Sequence, residues 1–155
     1  METIQENFGQ VDVIAGVATG GIPQGALIAQ EMELPFIYVR SSSKGHGLQN
    51  QVEGVVEAGQ RVVVIEDLIS TGMSGLKAVD ALRAKGCHVA GMVAIFTYGF
   101  ELAKKNFQDH QCPLYTLSNY DHLIDEALTQ GYINEEDVAS LKKWRTNPET
   151  WGVTV

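Results

Sequence analysis

The sequence has little of what several common classes of protein require. Its two cysteines, Cys87 and Cys112, lack the close spacing of a zinc or redox motif, so a reduced compartment is the simplest expectation. Lys and Arg total 11 against 19 Asp and Glu, and the net charge of −8 offers no general footprint for nucleic acid. No apolar run reaches the roughly 18 residues that predict a membrane span. Polar residues follow Met1 where a signal peptide would be basic and apolar, so we predict a cytoplasmic protein.

Two common phosphate-binding motifs are also absent. A P-loop needs Gly-Lys followed by Ser or Thr, and the sequence contains no such triplet. The dinucleotide fingerprint G-x-G-x-x-G is missing after either strand that leads into a glycine turn. The 155 residues, 45% of them hydrophobic, suffice for one domain with a substantial core, so we predict a single core domain over residues 1–155.

Apolar runs rich in β-branched residues alternate with helix-like segments along the chain. We predict about five strands, near residues 11–17, 36–39, 61–66, 87–96 and 114–117, and we consider a short edge strand over 52–56. Helices are predicted near residues 22–33, 74–85, 100–106, 119–130 and 134–145, after an initial helix that ends at Gly9. This alternation predicts an α/β fold, with a parallel, doubly wound sheet and flanking helices.

The segment 62–74 is the most informative part of the sequence, because an apolar run ends in Glu66 and Asp67 before a turn of small and hydroxyl residues. Ligands of open parallel sheets bind at the carboxyl ends of the strands. A second glycine turn, 18–21, follows the first strand, and both turns lead into helices whose first amides suit an anion. Taken alone, each turn also fits an ordinary helix start, and the two acids also fit a solvated strand end.

Four segments carry a resemblance to a known family. Residues 62–74 match the PRPP-binding signature of the type I phosphoribosyltransferases at every class-defining position. Residues 12–23, the basic loop from Val39 to Gly47, and residues 94–100 are similar to the orotate phosphoribosyltransferases within that family. The chain is therefore identified, by resemblance, with the orotate phosphoribosyltransferases, and the fold that this implies is the type I phosphoribosyltransferase core.

The resemblance implies a reaction. The phosphoribosyl group of PRPP would pass to orotate, giving orotidine 5'-phosphate and pyrophosphate in pyrimidine biosynthesis. Mg²⁺ would be held mainly by substrate oxygens near Glu66 and Asp67, with no direct protein ligand assigned. The resemblance also implies a homodimer in which the flexible loop 40–51 acts across subunits.

The resemblance also assigns roles to individual residues. Lys44, His46 and Asp67 would be catalytic, and Ser70 would contact orotate. The turn that approaches pyrophosphate would consist of Ala18, Thr19, Gly20 and Gly21. The PRPP site would comprise Arg40, Lys44, His46, Glu66, Asp67, Leu68, Ile69, Ser70, Thr71, Gly72, Met73 and Ser74. Some relatives place an arginine after the strand that ends here at Phe96 to Tyr98, but this sequence has none there, so that contact with the base does not carry over.

Relatives carry a further subdomain before the strand at Val11, which forms a hood over the base, and this sequence begins in the helix that precedes that strand. The sequence therefore leaves alternatives open. The chain could use another base, such as a purine, could be a non-catalytic PRPP-binding module, or could be a structural fragment. One hypothesis is that it binds PRPP but transfers poorly to orotate.

Overall fold

The computed structural model describes residues 1–40 and 51–150. The strands are β1 Val13–Val17, β2 Phe36–Val39, β3 Val52–Glu53, β4 Arg61–Ile69, β5 His88–Thr97 and β6 Leu114–Asn119. The helices are α1 Glu2–Phe8, α2 Gly21–Glu31, α3 Met73–Ala84, α4 Glu101–Asp109, α5 Tyr120–Thr129 and α6 Glu135–Thr146, and a 3₁₀ turn over Pro148–Thr150 follows.

The strands form one six-stranded sheet in the order β3-β2-β1-β4-β5-β6. Every neighbouring pair is parallel except β2 and β3, which are antiparallel. The predicted α/β fold with a mostly parallel sheet is therefore confirmed, and the edge strand considered over 52–56 is the short β3. Because β1 and β4 are direct neighbours, the turns that follow them open at the same edge of the sheet.

Helices cover both faces of the sheet, which is why its central strands are apolar at consecutive positions. All of β1 is buried, and so are residues 62–65 of β4. One face packs against α3 and α4, with Leu76, Leu82 and Phe107 in its core. The other face packs against α1 and α2, where Ile4 and Ala29 are buried. Burying each large apolar side chain contributes about 1.5–3 kcal/mol, so these two layers hold the sheet edge in place.

Strand β4 continues further than the sequence predicted, to Ile69 instead of residue 66. Its pairing with β1 ends at Ile65, whereas β5 provides partners as far as the pair Ile69–Thr97. Glu66 and Asp67 therefore lie inside β4, in the part that extends past β1. The prediction that β4 ends at the acids was wrong, because backbone pairing with β5 carries the strand beyond them.

An aromatic cluster holds α6 near the carboxyl end of β5. Trp144 of α6 lies 5.6 Å from the ring of Tyr98, 5.9 Å from Phe100 and 5.3 Å from Tyr120, measured between ring centroids. Helix α6 begins at a reciprocal capping box formed by Asn134 and Asp137. The side chain of Trp144 thus fixes the end of α6 beside the carboxyl end of β5.

Both cysteines are free thiols in the interior. Burial raises the pKa of the Cys112 thiol to about 11, so it stays protonated. Over residues 1–40 and 51–150, none of the helices has both the length and the apolar character needed to cross a bilayer.

Candidate functional site

The structure brings the two predicted turns into direct contact. A Cβ atom added at Gly20 would overlap the carboxylate of Asp67, and one added at Gly21 would overlap the carbonyl of Ile65. A Cβ at Gly16 would lie only 2.7 Å from the carbonyl oxygen of Gly21. The peptide bond between Ala18 and Thr19 is cis. Residues 18–21 therefore pack against the acidic end of β4, and they can do so only because glycine lacks a side chain.

The two adjacent acids occupy different environments. Glu66 is 5% exposed, and its Oε1 accepts a hydrogen bond of 3.2 Å from the backbone N–H of Asp67. Burial and the side-chain contact with Asp67 raise the pKa of Glu66 to about 8. Asp67 is exposed, and its Oδ1 accepts a hydrogen bond of 2.7 Å from the N–H of Leu68. The pair thus offers a largely neutral acid inside and a solvent-facing carboxylate outside.

The turn 70–74 leads into α3 through Gly72, whose φ of 79° lies in the left-handed region. No side chain caps the first turn of α3, and Ser70 and Ser74 are exposed. Helix amino termini present unpaired N–H groups and the positive end of the helix dipole. The turn can therefore bind an anion through backbone amides and hydroxyls.

Helix α4 contacts this turn and holds it in place. The side-chain amide of Asn106 donates a hydrogen bond of 2.9 Å to the carbonyl oxygen of Thr71. A Cβ at Gly72 would overlap the ring of Phe107. Neither supporting residue is predicted by the sequence, because Asn106 follows two lysines in a segment that has no motif of its own.

Among the predicted PRPP residues after Asp67, only some expose their side chains. Leu68 and Met73 are each 42% exposed, whereas Ile69 is 1% exposed and belongs to the core. The carbonyl oxygen of Ile69 accepts a hydrogen bond of 3.1 Å from the N–H of Tyr98. The side chain of Ile69 is therefore turned away from any ligand at this edge.

Arg40 lies at the end of β2, beside the first turn. The N–H of Ala18 donates to the carbonyl oxygen of Val39 at 2.8 Å, which joins that turn to β2. The guanidinium of Arg40 forms an ion pair of 3.1 Å with Glu53 of β3. Glu53 was not anticipated from the sequence. Lys44 and His46 lie outside the described residues.

A cleft of 510 Å³ opens beside the turn 70–74. Ser70 and Thr71 line one side of it, and the start of α4 with the end of α6 lines the other. Its remaining lining residues are Gly99, Phe100, Glu101, Leu102, Arg145, Thr146, Asn147, Pro148 and Glu149. A base placed next to Ser70 would therefore face residues from the carboxyl-terminal part of the chain.

A dedicated metal cage is not found within the described part of the chain. There, no group of three or more His, Cys, Asp or Glu side chains is arranged to hold a metal ion. The exposed carboxylate of Asp67 is a single oxygen donor group at the site edge. That Mg²⁺ is held mainly by substrate oxygens, with no direct protein ligand, stays a prediction.

Comparisons with known proteins agree with this geometry. The family described as "Phosphoribosyl transferase domain" matches residues 1–127. The orotate phosphoribosyltransferase of Bacteroides fragilis is 59% identical over 96% of this chain and 70% of that protein, and the Listeria innocua enzyme is 55% identical over 97% and 72%.

A solved structure points the same way. The structure of orotate phosphoribosyltransferase from Aeropyrum pernix has a TM-score of 0.71 and 31% identity, and the match covers 86% of this chain and 75% of that one. The resemblance seen in the sequence is thereby confirmed. The chain belongs to the phosphoribosyltransferase family, as a member of its orotate phosphoribosyltransferase group.

Proposed function

We propose that this chain transfers the phosphoribosyl group of PRPP to orotate, giving orotidine 5'-phosphate and pyrophosphate. The observation that carries the proposal is the contact between Gly20 and Asp67. It brings the turns 18–21 and 70–74, the two anion turns, to either side of one exposed carboxylate. PRPP has the matching chemistry, with a phosphate at one end, a pyrophosphate at the other and ribose hydroxyls between them. The identity to relatives named orotate phosphoribosyltransferase supports orotate as the base.

In this proposal the turn 70–74 binds the 5-phosphate. Its amides at the start of α3 supply hydrogen bonds without a side-chain competitor, and Ser70, Thr71 and Ser74 add hydroxyls. Met73 contributes its backbone amide, because its thioether side chain has no hydrogen-bond donor for a phosphate. The turn 18–21 approaches the pyrophosphate by its backbone.

Bond changes take place between the two anion turns. The bond from C1 of the ribose to pyrophosphate breaks and its electron pair leaves with the pyrophosphate. A ring nitrogen of orotate forms the new bond to C1, and the proton of that N–H passes to an oxygen of the departing pyrophosphate. Asp67 and Glu66 bind the ribose hydroxyls, and the Asp67 carboxylate stabilises the positive charge that develops on the sugar. Arg40, Lys44 and His46 balance the charge of the leaving pyrophosphate, and the segment 40–51 excludes water from the reaction.

Magnesium fits this donor set as a substrate-bound ion. Mg²⁺ binds proteins through one or two carboxylates together with substrate phosphates and water, and Asp67 is the exposed carboxylate at the site edge. When bound, the ion would neutralise charge on the pyrophosphate.

We also infer that residues 1–155 form one core domain and act as a homodimer, with loop 40–51 reaching the partner's site. The continuous sheet over the described residues supports the first inference. The expected dimer can be checked by measuring the mass of the chain in solution with light scattering.

A titration followed by turnover tests the proposed function. The chain is first titrated with PRPP and MgCl₂ by calorimetry, and orotate is then added while orotidine 5'-phosphate is quantified by chromatography. We expect binding and product formation, with adenine, hypoxanthine and uracil as competing bases. Product with a purine instead would favour the rival base, binding without product would favour a PRPP-binding module, and no binding would contradict the proposal.

A further inference from the structure

The cleft beside Ser70 contains a cation that the sequence motifs do not assign. We propose that Arg145, near the end of α6, binds the carboxylate of orotate and thereby selects an acidic pyrimidine. The inference rests on the proposed function, because it names the group that recognises the base of that reaction.

The position of Arg145 carries the first step of the argument. Arg145 lines the same cleft as Ser70 and Thr71, which belong to the anion turn. Its Nη1 atom lies 4.0 Å from the place where a Cβ at Gly99 would stand, and among the described residues no other atom, apart from those of the chain neighbours of Gly99, lies within that range. Gly99 lies two residues after Thr97, the last residue of β5. A helix from the carboxyl-terminal part of the chain therefore delivers a guanidinium to the exit of β5.

The charges around the cleft carry the second step. Among the described residues that line it, Arg145 is the only basic side chain. Of the two acids on the lining, Glu101 is paired with Lys104 at 2.6 Å and Glu149 is exposed. Orotate differs from a plain pyrimidine by a carboxylate, which needs a positive partner when it leaves water. Arginine suits that partner because its planar fork matches a carboxylate.

Arg145 is held in place but retains capacity for a ligand. Its Nη1 donates a hydrogen bond of 2.6 Å to the carboxylate of Asp121 in α5. Its guanidinium carbon lies 5.8 Å from the centroid of the Tyr120 ring. A guanidinium has several N–H donors, so the bond to Asp121 does not exhaust it. The side chain is 31% exposed, which leaves it accessible from the cleft. The neighbouring Trp144 packs in the aromatic cluster, so the group is preorganised.

A purely structural role for Arg145 is the competing explanation. In that case the ion pair with Asp121 would stabilise the contact between α5 and α6 and nothing more. Removing either partner would then have the same consequence, a lower thermal stability with no preference for one substrate. Recognition of orotate predicts instead that the two partners behave differently.

Steady-state kinetics on variants of residues 1–155 distinguishes the two. For Arg145→Gln we expect the KM for orotate to rise roughly 10- to 100-fold, as for the loss of a charged hydrogen-bonded pair, while the KM for PRPP stays within about twofold. Arg145→Lys keeps the charge without the fork, so its KM for orotate should lie between those of the wild type and Arg145→Gln. Asp121→Asn removes the charge of the structural partner but keeps an oxygen that can accept from Arg145, so it should not raise the KM for orotate.

Lys143→Gln is the matched control, because Lys143 is an exposed cation on the same helix. It should retain both wild-type KM values. If Arg145→Gln fails to fold by circular dichroism, Arg145→Lys and Asp121→Asn decide the question by the same comparison of KM values.

Three results overturn the inference. They are an unchanged KM for orotate in the Arg145 variants, equal rises in both KM values, and the same orotate defect in Asp121→Asn. A wild-type chain that binds PRPP but forms no orotidine 5'-phosphate contradicts the proposed function itself, and the inference falls with it. Normal turnover that is insensitive to Arg145 removes only the inference.

Discussion

The side-chain amide of Asn106 in α4 donates a hydrogen bond of 2.9 Å to the carbonyl oxygen of Thr71 in the anion turn. The next residue of α4, Phe107, lies against Gly72, whose φ of 79° gives the turn its shape. A helix outside the segment 62–74 therefore holds that segment in place. Two elements far apart in sequence therefore determine the shape of the turn 70–74 and the orientation of its amides.

Replacing Asn106 should weaken the binding of PRPP and leave the binding of orotate unaffected. Without the donor, the carbonyl of Thr71 loses its partner and the turn gains freedom. We expect Asn106→Ala to raise the KM for PRPP roughly 2- to 10-fold, the range of one ordinary hydrogen bond, with the KM for orotate retained. Asn106→Asp should be worse, because a carboxylate cannot donate to Thr71 and adds negative charge near a phosphate. Steady-state kinetics with PRPP as the varied substrate checks this.

Asn7→Ala is a matched control for that measurement. The side-chain amide of Asn7 donates to the carbonyl oxygen of Thr3 at 2.8 Å, so the same kind of bond is lost in an exposed helix. Its kinetics should equal those of the wild type. A similar rise in KM for Asn7→Ala, or none for Asn106→Ala, would show that the bond to Thr71 does not organise the turn.

Adding one methyl group at Gly20 should disrupt the contact between the two turns. The new Cβ would overlap the carboxylate of Asp67 and stand 3.0 Å from its Cβ, so rotation of the carboxylate alone cannot relieve the clash. We expect Gly20→Ala to lower kcat/KM for PRPP by at least about tenfold, in line with the cost of overpacking, while the chain remains folded.

Gly131→Ala provides the comparison for Gly20→Ala. Gly131 has a φ of 73°, and in the described part of the chain no atom beyond its chain neighbours lies within 4 Å of an added Cβ, so this substitution strains the backbone away from the site. It should cost thermal stability and leave kcat/KM unchanged. Near-normal kinetics in Gly20→Ala would mean that the position of Asp67 beside the first turn is unimportant for turnover.

The buried Glu66 should make the stability of the free protein depend on pH. Its pKa is raised by burial from 4.5 to about 8, so between these values the folded state holds a proton that the unfolded state has released. The stabilising effect is complete below pH 4.5 and is lost as the pH rises through about 8. In that interval the free energy of unfolding should fall by up to about 1.4 kcal/mol per pH unit relative to Glu66→Gln.

Urea unfolding of the wild type and Glu66→Gln across this pH range measures the difference. Other titrating groups affect both proteins alike, so the gap between the two unfolding free energies isolates Glu66. We expect Glu66→Gln to gain stability relative to the wild type as the pH rises, whereas Glu6→Gln in the exposed part of α1 should follow the wild-type profile. A constant gap between Glu66→Gln and the wild type would show that Glu66 keeps its ordinary pKa.

Local patterns were sufficient for much of the fold and for the location of the anion turns. The β-branched runs of β1 and β4 predicted buried parallel strands, because only a sheet covered on both faces accepts apolar residues at every position. The pattern misplaced the end of β4, since pairing with β5 as far as Ile69 is a non-local effect. The assigned roles of Lys44 and His46 stay predictions, because both residues lie outside the described part of the chain.

The sequence by itself determined the alternation of strands and helices, the family, and the glycines and acids of residues 18–21 and 66–74, because these features depend on residue type and short spacing. Only the tertiary structure decided which distant residues complete the site. It placed Asn106 beneath Thr71, gave Glu66 and Asp67 unequal surroundings, and brought Arg145 of α6 to Gly99 at the exit of β5. Packing between separate elements produces these contacts, and no local pattern in the sequence encodes them.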